Sequence, residues 1–291
     1  MNEILRIDNL SKNFGKNKVL QNFALTLEKG KVYGLLGKNG EGKTTLIRII
    51  MGVIPYDQGE MIYKNKKISF RDETYKRGIG FIAEESIFYN WMSIQELLRF
   101  NASFYPRWNS CKADEYLDRF SLDKKAKIRH LSRGMKLKLG LIITLASEPE
   151  ILLLDDPTSG LDVPTRYDFL KEIIRELSEM GTTILFCTHI VHEIEGIIDN
   201  LGILKCGRLI IDEDFQTLKN SCRRVLLTGD ESIKDKVKID GIVTQKANGK
   251  QNEWVVYPWT EEKKRAVENL KPASMEVKPM NLEEIFISFV S

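Results

Sequence analysis

The chain has 291 residues, 42% hydrophobic and 29% charged, enough to bury a substantial core in one large domain or two. Its formal net charge of +3 is scattered along the chain, which excludes the broad basic field that draws nucleic acid, and no nucleic-acid partner is expected. Cys111, Cys187, Cys206 and Cys222 form no C-x-x-C pair; with no secretory signal in the opening residues, a reduced, cytosolic protein is expected.

In chain order, residues 1–30 read as an antiparallel strand pair. Ile4-Leu5-Arg6-Ile7 alternates, and Phe23–Leu27 follows a turn-like Gly15-Lys16-Asn17-Lys18. Lys31–Leu36 is a buried-strand run that leads into Gly37-Lys38-Asn39-Gly40-Glu41-Gly42-Lys43-Thr44, a complete match to G-x-x-x-x-G-K-[ST]. Thr45–Ile50 opens a helix behind it. Strand, glycine-rich loop and helix N-terminus together make a phosphate site. The glycines let successive backbone N–H groups converge on phosphate oxygens. Lys43 supplies charge to the β- and γ-phosphates, and the Thr44 hydroxyl is suited to ligate Mg²⁺. We assign Gly37, Asn39, Gly40, Gly42, Lys43, Thr44 and Thr45 to nucleotide binding. Glu41 has to point away from phosphate, toward an interface or a cation.

Short strands at Glu60–Tyr63 and Lys67-Ile68 follow, then a strand at Ile79–Ala83 that enters a loop. Residues 93–146 read as mostly helical, with Ser93-Ile94-Gln95-Glu96 a capping box at the start. Apolar stretches there, such as Leu139–Ala146, are far shorter than the roughly 20 residues that span a bilayer, so a membrane role has to come through a partner. Seven aromatics, Phe88, Tyr89, Trp91, Phe100, Phe104, Tyr105 and Trp108, fall in or beside this region, most of them expected in the core of a small helical subdomain.

Ile151–Leu154 is a fully apolar run that ends in Asp155-Asp156, the mark of a strand buried on both faces. An aspartate there serves as a helix N-cap or, in a protein with a P-loop, completes the Mg²⁺ shell; the P-loop favours the second. A helix at 165–180 and a strand at Thr183–Cys187 complete a βαβ unit. The composition changes near residue 220. Beyond it we read a strand at Arg223–Thr228, a hairpin turning at Asn248-Gly249 as type I′, a helix at Glu261–Leu270, a strand around Met275–Lys278 and a helix from Asn281.

Between the P-loop and Asp155 lies Leu131-Ser132-Arg133-Gly134-Met135-Lys136, directly before an apolar-periodic helix. Here the chain resembles the ATP-binding cassette (ABC) ATPases, whose signature is Leu-Ser-Gly-Gly-Gln; this variant is similar to those of bacterial exporter-type systems. The resemblance covers residues 1 to about 220. Ser159-Gly160-Leu161-Asp162 resembles the family's D-loop, His189 its switch histidine, Phe14 the aromatic that stacks on adenine, and Glu84 falls at the Q-loop glutamine. The resemblance implies an α/β fold with a P-loop NTPase ABC-type core. That core has a mixed sheet with helices, an antiparallel β subdomain and a helical subdomain at about 86–146. Domains are expected at 1–220 and, as a small α+β appendage, 221–291.

It further implies a cytosolic ATPase subunit, peripheral on a transmembrane subunit, with ATP and Mg²⁺ as cofactors. A second cassette subunit, identical or not, completes the site: Ser132, Arg133, Gly134 and Met135 face the partner's nucleotide from a helix N-terminus, and Asp162 lies at the shared site. Arg133 fits a charge-assisted contact to that nucleotide or an ordinary solvated arginine. Thr44, Glu84 and Asp155 form the implied metal set. Asp156, His189 and Glu84 form the implied catalytic set.

Two positions depart from the family pattern. Where the family has a water-orienting glutamate stands Asp156, one methylene shorter, and a misplacement of about 1 Å costs on the order of 10²-fold in rate. Slow hydrolysis at this site is therefore expected, or faster turnover left to a partner cassette that retains the glutamate. Glu84 in place of glutamine adds charge at the metal, with a second role as auxiliary base in view. Tyr89 and Trp91 lie in the loop that, in the family, helps receive a transmembrane subunit's coupling helix. The alternative is a non-transport cassette ATPase acting in translation or as a regulatory binding module; the translation role is disfavoured because such chains resemble two joined cassettes and this one has a single P-loop. The interval between Lys43 and Leu131 leaves no room for the long coiled coil of chromosome-maintenance relatives, and no N-K-x-D guanine-reading motif is present.

Overall fold

A computed structural model of the chain describes residues 2–84, 87–157, 174–229 and 239–291. Two compact units emerge, Met1–Asp212 and Glu213–Ser291. The division falls inside a strand, somewhat before the composition change near residue 220.

In the first unit, among the described residues, the strands form two sheets. One is antiparallel, in the order β2-β1-β4-β5. It comprises β1 (Glu3–Phe14), β2 (Asn17–Glu28), β4 (Gln58–Tyr63) and β5 (Lys66–Ile68). Alternation places Leu5, Ile7, Phe23, Leu25 and Leu27 inward, and an irregularity at Asn9 shifts the phase so that Leu10 joins them; all six are essentially buried. The other sheet runs β10-β9-β3-β8-β7-β6. Its members are β3 (Val32–Gly37), β6 (Ile79–Ile82), β7 (Ile151–Asp155), β8 (Thr183–Thr188), β9 (Asn200–Lys205) and β10 (Arg208–Asp214). β3, β7 and β8 are buried at every residue, as parallel strands covered on both faces require. β3 pairs in parallel with β8 and β9, and β7 with β8 and β6.

Helix α1 (Lys43–Ile50) follows β3 and buries Leu46, Ile47, Ile49 and Ile50 against Leu35, Ile151, Leu153, Leu185 and the first sheet's inner face. Burial of each such side chain stabilises the fold by about 1.5–3 kcal/mol. Three further helices are α2 (Ile94–Ala102), α3 (Ser110–Arg119) and α4 (Arg133–Ala146). The capping box at Ser93 is present: Ser93 Oγ accepts from the Glu96 N–H at 3.2 Å, and the Glu96 carboxylate accepts from the Ser93 N–H at 2.6 Å. No helix among the described residues is long and apolar enough to cross a membrane.

The second unit carries an antiparallel sheet in the order β12-β13-β11-β14: β11 (Arg223–Thr228), β12 (Ile242–Asn248), β13 (Gln251–Val256) and β14 (Ser274–Pro279). Helices α5 (Phe215–Ser221), α6 (Glu261–Glu268) and α7 (Leu282–Val290) accompany it. Val225, Leu227, Trp254, Val256 and Val267 form its core.

One reading changes. The hairpin turn is Gly249-Lys250, because Asn248 pairs with Gln251. Gly249 alone of the two has positive φ, 58°, whereas type I′ needs positive φ at both central residues. β9, β10 and α5 have no counterpart in the sequence reading. Part of the expected helix at 165–180 lies outside the described residues, as do Ser159, Gly160, Leu161 and Asp162; residues 174–179 are helical.

Candidate functional site

Three adjacent parallel strands, β3, β8 and β7, end side by side, and the site is built at their carboxyl ends. From β3 springs the P-loop. Gly40 and Gly42 have φ of 87° and 112°, a backbone that L side chains adopt only with strain. A Cβ at Gly42 would also meet the Val19 carbonyl oxygen at 3.0 Å. Gly42 is the N-cap of α1 and offers no side-chain cap, so the first N–H groups of that helix remain available to an anion. Lys43 keeps only 5% of its surface exposed; its ammonium donates to the carbonyls of Gly37 at 2.8 Å and Lys38 at 3.3 Å. Asn39 and Gly40 are exposed at the tip and Thr45 is half-buried behind Thr44. Glu41 turns away from the loop, accepting from the backbone N–H of Cys206. Its expected outward direction is met, yet its partner is a backbone amide of the same unit rather than an interface or a cation.

From β7 comes Asp155, 6% exposed. The Thr44 hydroxyl donates to its Oδ1 at 3.1 Å, which brings two of the three expected metal ligands together. Burial, with the neighbouring Asp156 and Glu84 charges, holds the Asp155 carboxyl above its ordinary range; Thr44 and Lys43 work in the opposite direction. A hard divalent cation fits this pair: Mg²⁺ keeps several waters and takes one or two protein oxygens, the rest coming from phosphate. Glu84 stands exposed just past β6 and acts on Asp155 through its charge.

From β8 comes His189. Asp156 has φ 43°, a left-handed conformation that Asp adopts at less cost than most residues. There its N–H donates to the Cys187 carbonyl at 2.8 Å. Its Oδ1 accepts the His189 backbone N–H at 3.1 Å and lies 2.8 Å from His189 Nδ1. In the tautomer that carries its proton on Nδ1 this contact is a hydrogen bond to the carboxylate, and Nε2 is then the ring's acceptor nitrogen.

Ser132 caps α4, accepting from the Met135 N–H at 3.2 Å, and Gly134 and Met135 form the first turn with Arg133. That turn holds no acidic residue, so its positive end is uncompensated. Arg133 Nη2 donates to the Glu84 carbonyl at 3.4 Å, so signature and Q-loop position meet within one chain. Neither of the two roles raised for Arg133 anticipated this partner. Phe14 stands at the end of β1, 51% exposed.

The aromatic region differs from expectation. None of the seven residues is fully buried; Tyr89, Trp91, Phe100 and Phe104 are 51%, 67%, 39% and 59% exposed. Tyr89 packs on Trp91 and Phe100 with centroids 6.0 and 5.7 Å apart. Beside them runs a groove of about 450 Å³ lined by Phe81, Ile87, Tyr89, Phe100, Tyr105 and Ile143, among others. The helices fill their core with Leu97, Leu98, Leu117 and Ile142 instead, leaving the rings outside. Sequence reasoning also missed Lys12 and Asp57, which brace the segment before Phe14; no local pattern marks them.

A family profile described as ABC transporter matches residues 20–159. The ABC transporter ATP-binding protein YtrB of Bacillus subtilis is 31% identical over 285 residues, 98% of this chain and 97% of that one. The lantibiotic transport ATP-binding protein SrtF of Streptococcus pyogenes is 34% identical over 225 residues, 75% of this chain and 93% of that one. A solved ATP-binding subunit of an ABC transporter superposes with a TM-score of 0.68 at 28% identity, covering 73% of this chain and 90% of the other.

Proposed function

The chain belongs to the ABC transporter ATP-binding proteins and is an ATPase of that family, and from this premise we propose that it energises an exporter as one half of a nucleotide-sandwich dimer. The convergence of the P-loop, Asp155, Asp156 and His189 at the ends of three neighbouring strands carries the reading. The P-loop amides and Lys43 hold the β- and γ-phosphates. Thr44 and Asp155, with Glu84 beside them, would hold Mg²⁺, which when bound offsets phosphate charge.

Asp156 orients the attacking water, and His189, fixed by Asp156, presents Nε2 toward the γ-phosphate. The base stacks on Phe14. The second subunit supplies Ser132, Arg133, Gly134 and Met135 at the positive end of α4, which no acidic residue compensates, and Asp162 at the shared interface. A triphosphate then bridges the two subunits, and its hydrolysis releases them. Because Asp156 is short and held back by His189, turnover at this site is slow.

The exporter assignment is supported by the likeness to a lantibiotic transport protein. The membrane subunit docks in the groove beside Tyr89 and Trp91, which keeps the ATPase on the inner face of the membrane. A role in translation has no comparable support. The test is ATP hydrolysis by the complex purified with its membrane subunit. Lys43→Ala is expected to abolish it, and retained hydrolysis would overturn the reading.

A further inference from the structure

Phe14 is held from behind by polar contacts. The β1–β4 ladder ends at the pair Ser11–Gln58, so Lys12, Asn13 and Phe14 have only β2 as a strand neighbour. Asp57 takes over where the ladder stops. Its N–H donates to the Ser11 carbonyl at 2.9 Å. Its Oδ2 accepts from the Asn13 backbone N–H at 2.6 Å and from Asn13 Nδ2 at 3.1 Å. Its Oδ1 accepts from Lys12 Nζ at 3.2 Å.

Lys12 keeps 8% of its surface exposed, rare for a lysine unless it is paired. It sits two residues before Phe14, on the same side of the strand, with Nζ 5.1 Å from the centroid of the Phe14 ring. A cation at that distance is attracted to the ring's negative face and favours one ring orientation over its rotamers. Burial of the ammonium is tolerable because Asp57 neutralises it, and Asp57 is fixed in turn by backbone. Lys12 has no phosphate-site partner in these contacts, so a role limited to charge attraction toward phosphate leaves its burial and its place over the ring unexplained.

We infer that Lys12 and Asp57 are positioning residues for the nucleobase: together they set the Phe14 ring as a fixed platform, and the base-dependent part of ATP affinity depends on them. This rests on the assignment of Phe14 as the base platform. An unbraced Phe at a half-exposed strand end samples several rotamers, and a base that stacks on it has to select one. The Lys12 cation also draws on one face of the ring, which leaves the other face for the planar base.

Calorimetric titration of the full chain with Mg-ATP and with Mg-tripolyphosphate, which lacks a base, tests the inference. In Lys12→Met the affinity for ATP is expected to fall roughly tenfold while that for tripolyphosphate holds, and Lys12→Arg is expected to recover ATP binding. Asp57→Asn, which keeps an acceptor for Asn13 but loses the charge, is expected to shift the ATP-to-tripolyphosphate ratio the same way, about threefold. Unchanged ATP affinity in Lys12→Met, or equal loss of both ligands in both variants, overturns it. Phe14→Ala separates the two levels. If it lowers the ratio and Lys12→Met does not, the bracing role alone fails; if Phe14→Ala leaves the ratio unchanged, the platform itself is wrong and the bracing role fails with it.

Discussion

Asp156→Glu is the substitution expected to speed the chemical step. The Asp156 carboxylate is drawn back onto the backbone N–H and Nδ1 of His189, at 3.1 and 2.8 Å. One added methylene extends its reach by about 1.5 Å, enough to leave that backbone N–H and approach an attacking water. Gaining about 1 Å of correct placement is worth on the order of 10²-fold in rate, or about 2.7 kcal/mol of barrier. The cost falls on stability: a hydrogen bond to a charged group, about 1.5–3 kcal/mol, at a residue with φ 43° where Glu fits less well than Asp. Rapid-quench single-turnover hydrolysis in the assembled complex, at saturating Mg-ATP, is the assay. A faster phosphate burst together with a lower melting temperature is expected. A rate unchanged or lower, with ATP binding intact, would refute the claim that reach limits turnover.

Asp155→Asn is expected to melt higher than the parent without nucleotide and to lose the Mg²⁺-dependent part of ATP binding. A carboxyl whose folded pKa is raised, here chiefly by burial, favours the fold at low pH, and that contribution disappears as pH rises through the folded value; at neutral pH the buried charge is a cost. Thermal melts with and without Mg-ATP, compared before and after chelation, read both effects. Glu96 behaves in the opposite sense: hydrogen bonds from the Ser93 backbone and hydroxyl, then Lys127, hold its carboxyl down at about 2. Its contribution to the α2 cap is therefore present above the ordinary carboxylate range and lost as pH falls toward about 2, a course that Glu96→Gln is expected to flatten in acid denaturation. Tyr89→Ala with Trp91→Ala is expected to abolish copurification with the membrane subunit while the isolated chain still binds ATP. Intact assembly would place the docking surface elsewhere.

Local patterns carried most of what the sequence revealed. The P-loop and the Ser93 capping box took the expected form because their own contacts are local. The run before Asp155 was legible because a strand covered on both faces is apolar at every position, although its partners β6 and β8 are distant in sequence. Non-local contacts were invisible. Glu41 meets Cys206 across 165 positions and Lys12 meets Asp57 across 45, and neither leaves a periodic signal. β9 escaped because Gly202 interrupts its apolar run, yet a Cβ there would meet Tyr33 Oη at 2.6 Å; the residue that weakens the strand signal is the one packing demands. The hairpin turn slipped by one residue because pairing between β12 and β13 sets the register, and the Asn-Gly signal does not. The aromatics near Tyr89 were read as core since large rings usually are, but Leu and Ile fill that space.

Complementation between two inactive chains probes the shared site most directly. Lys43→Ala removes the cation that holds the phosphates and keeps the α4 turn; Ser132→Arg keeps the P-loop and blocks that turn. Each alone is expected to leave the complex without hydrolysis, whereas a complex assembled from both contains one intact pocket and is expected to regain measurable turnover. If the mixture stays as silent as its components, although both chains fold and coassemble, nucleotide is not sandwiched between a P-loop and another subunit's Ser132.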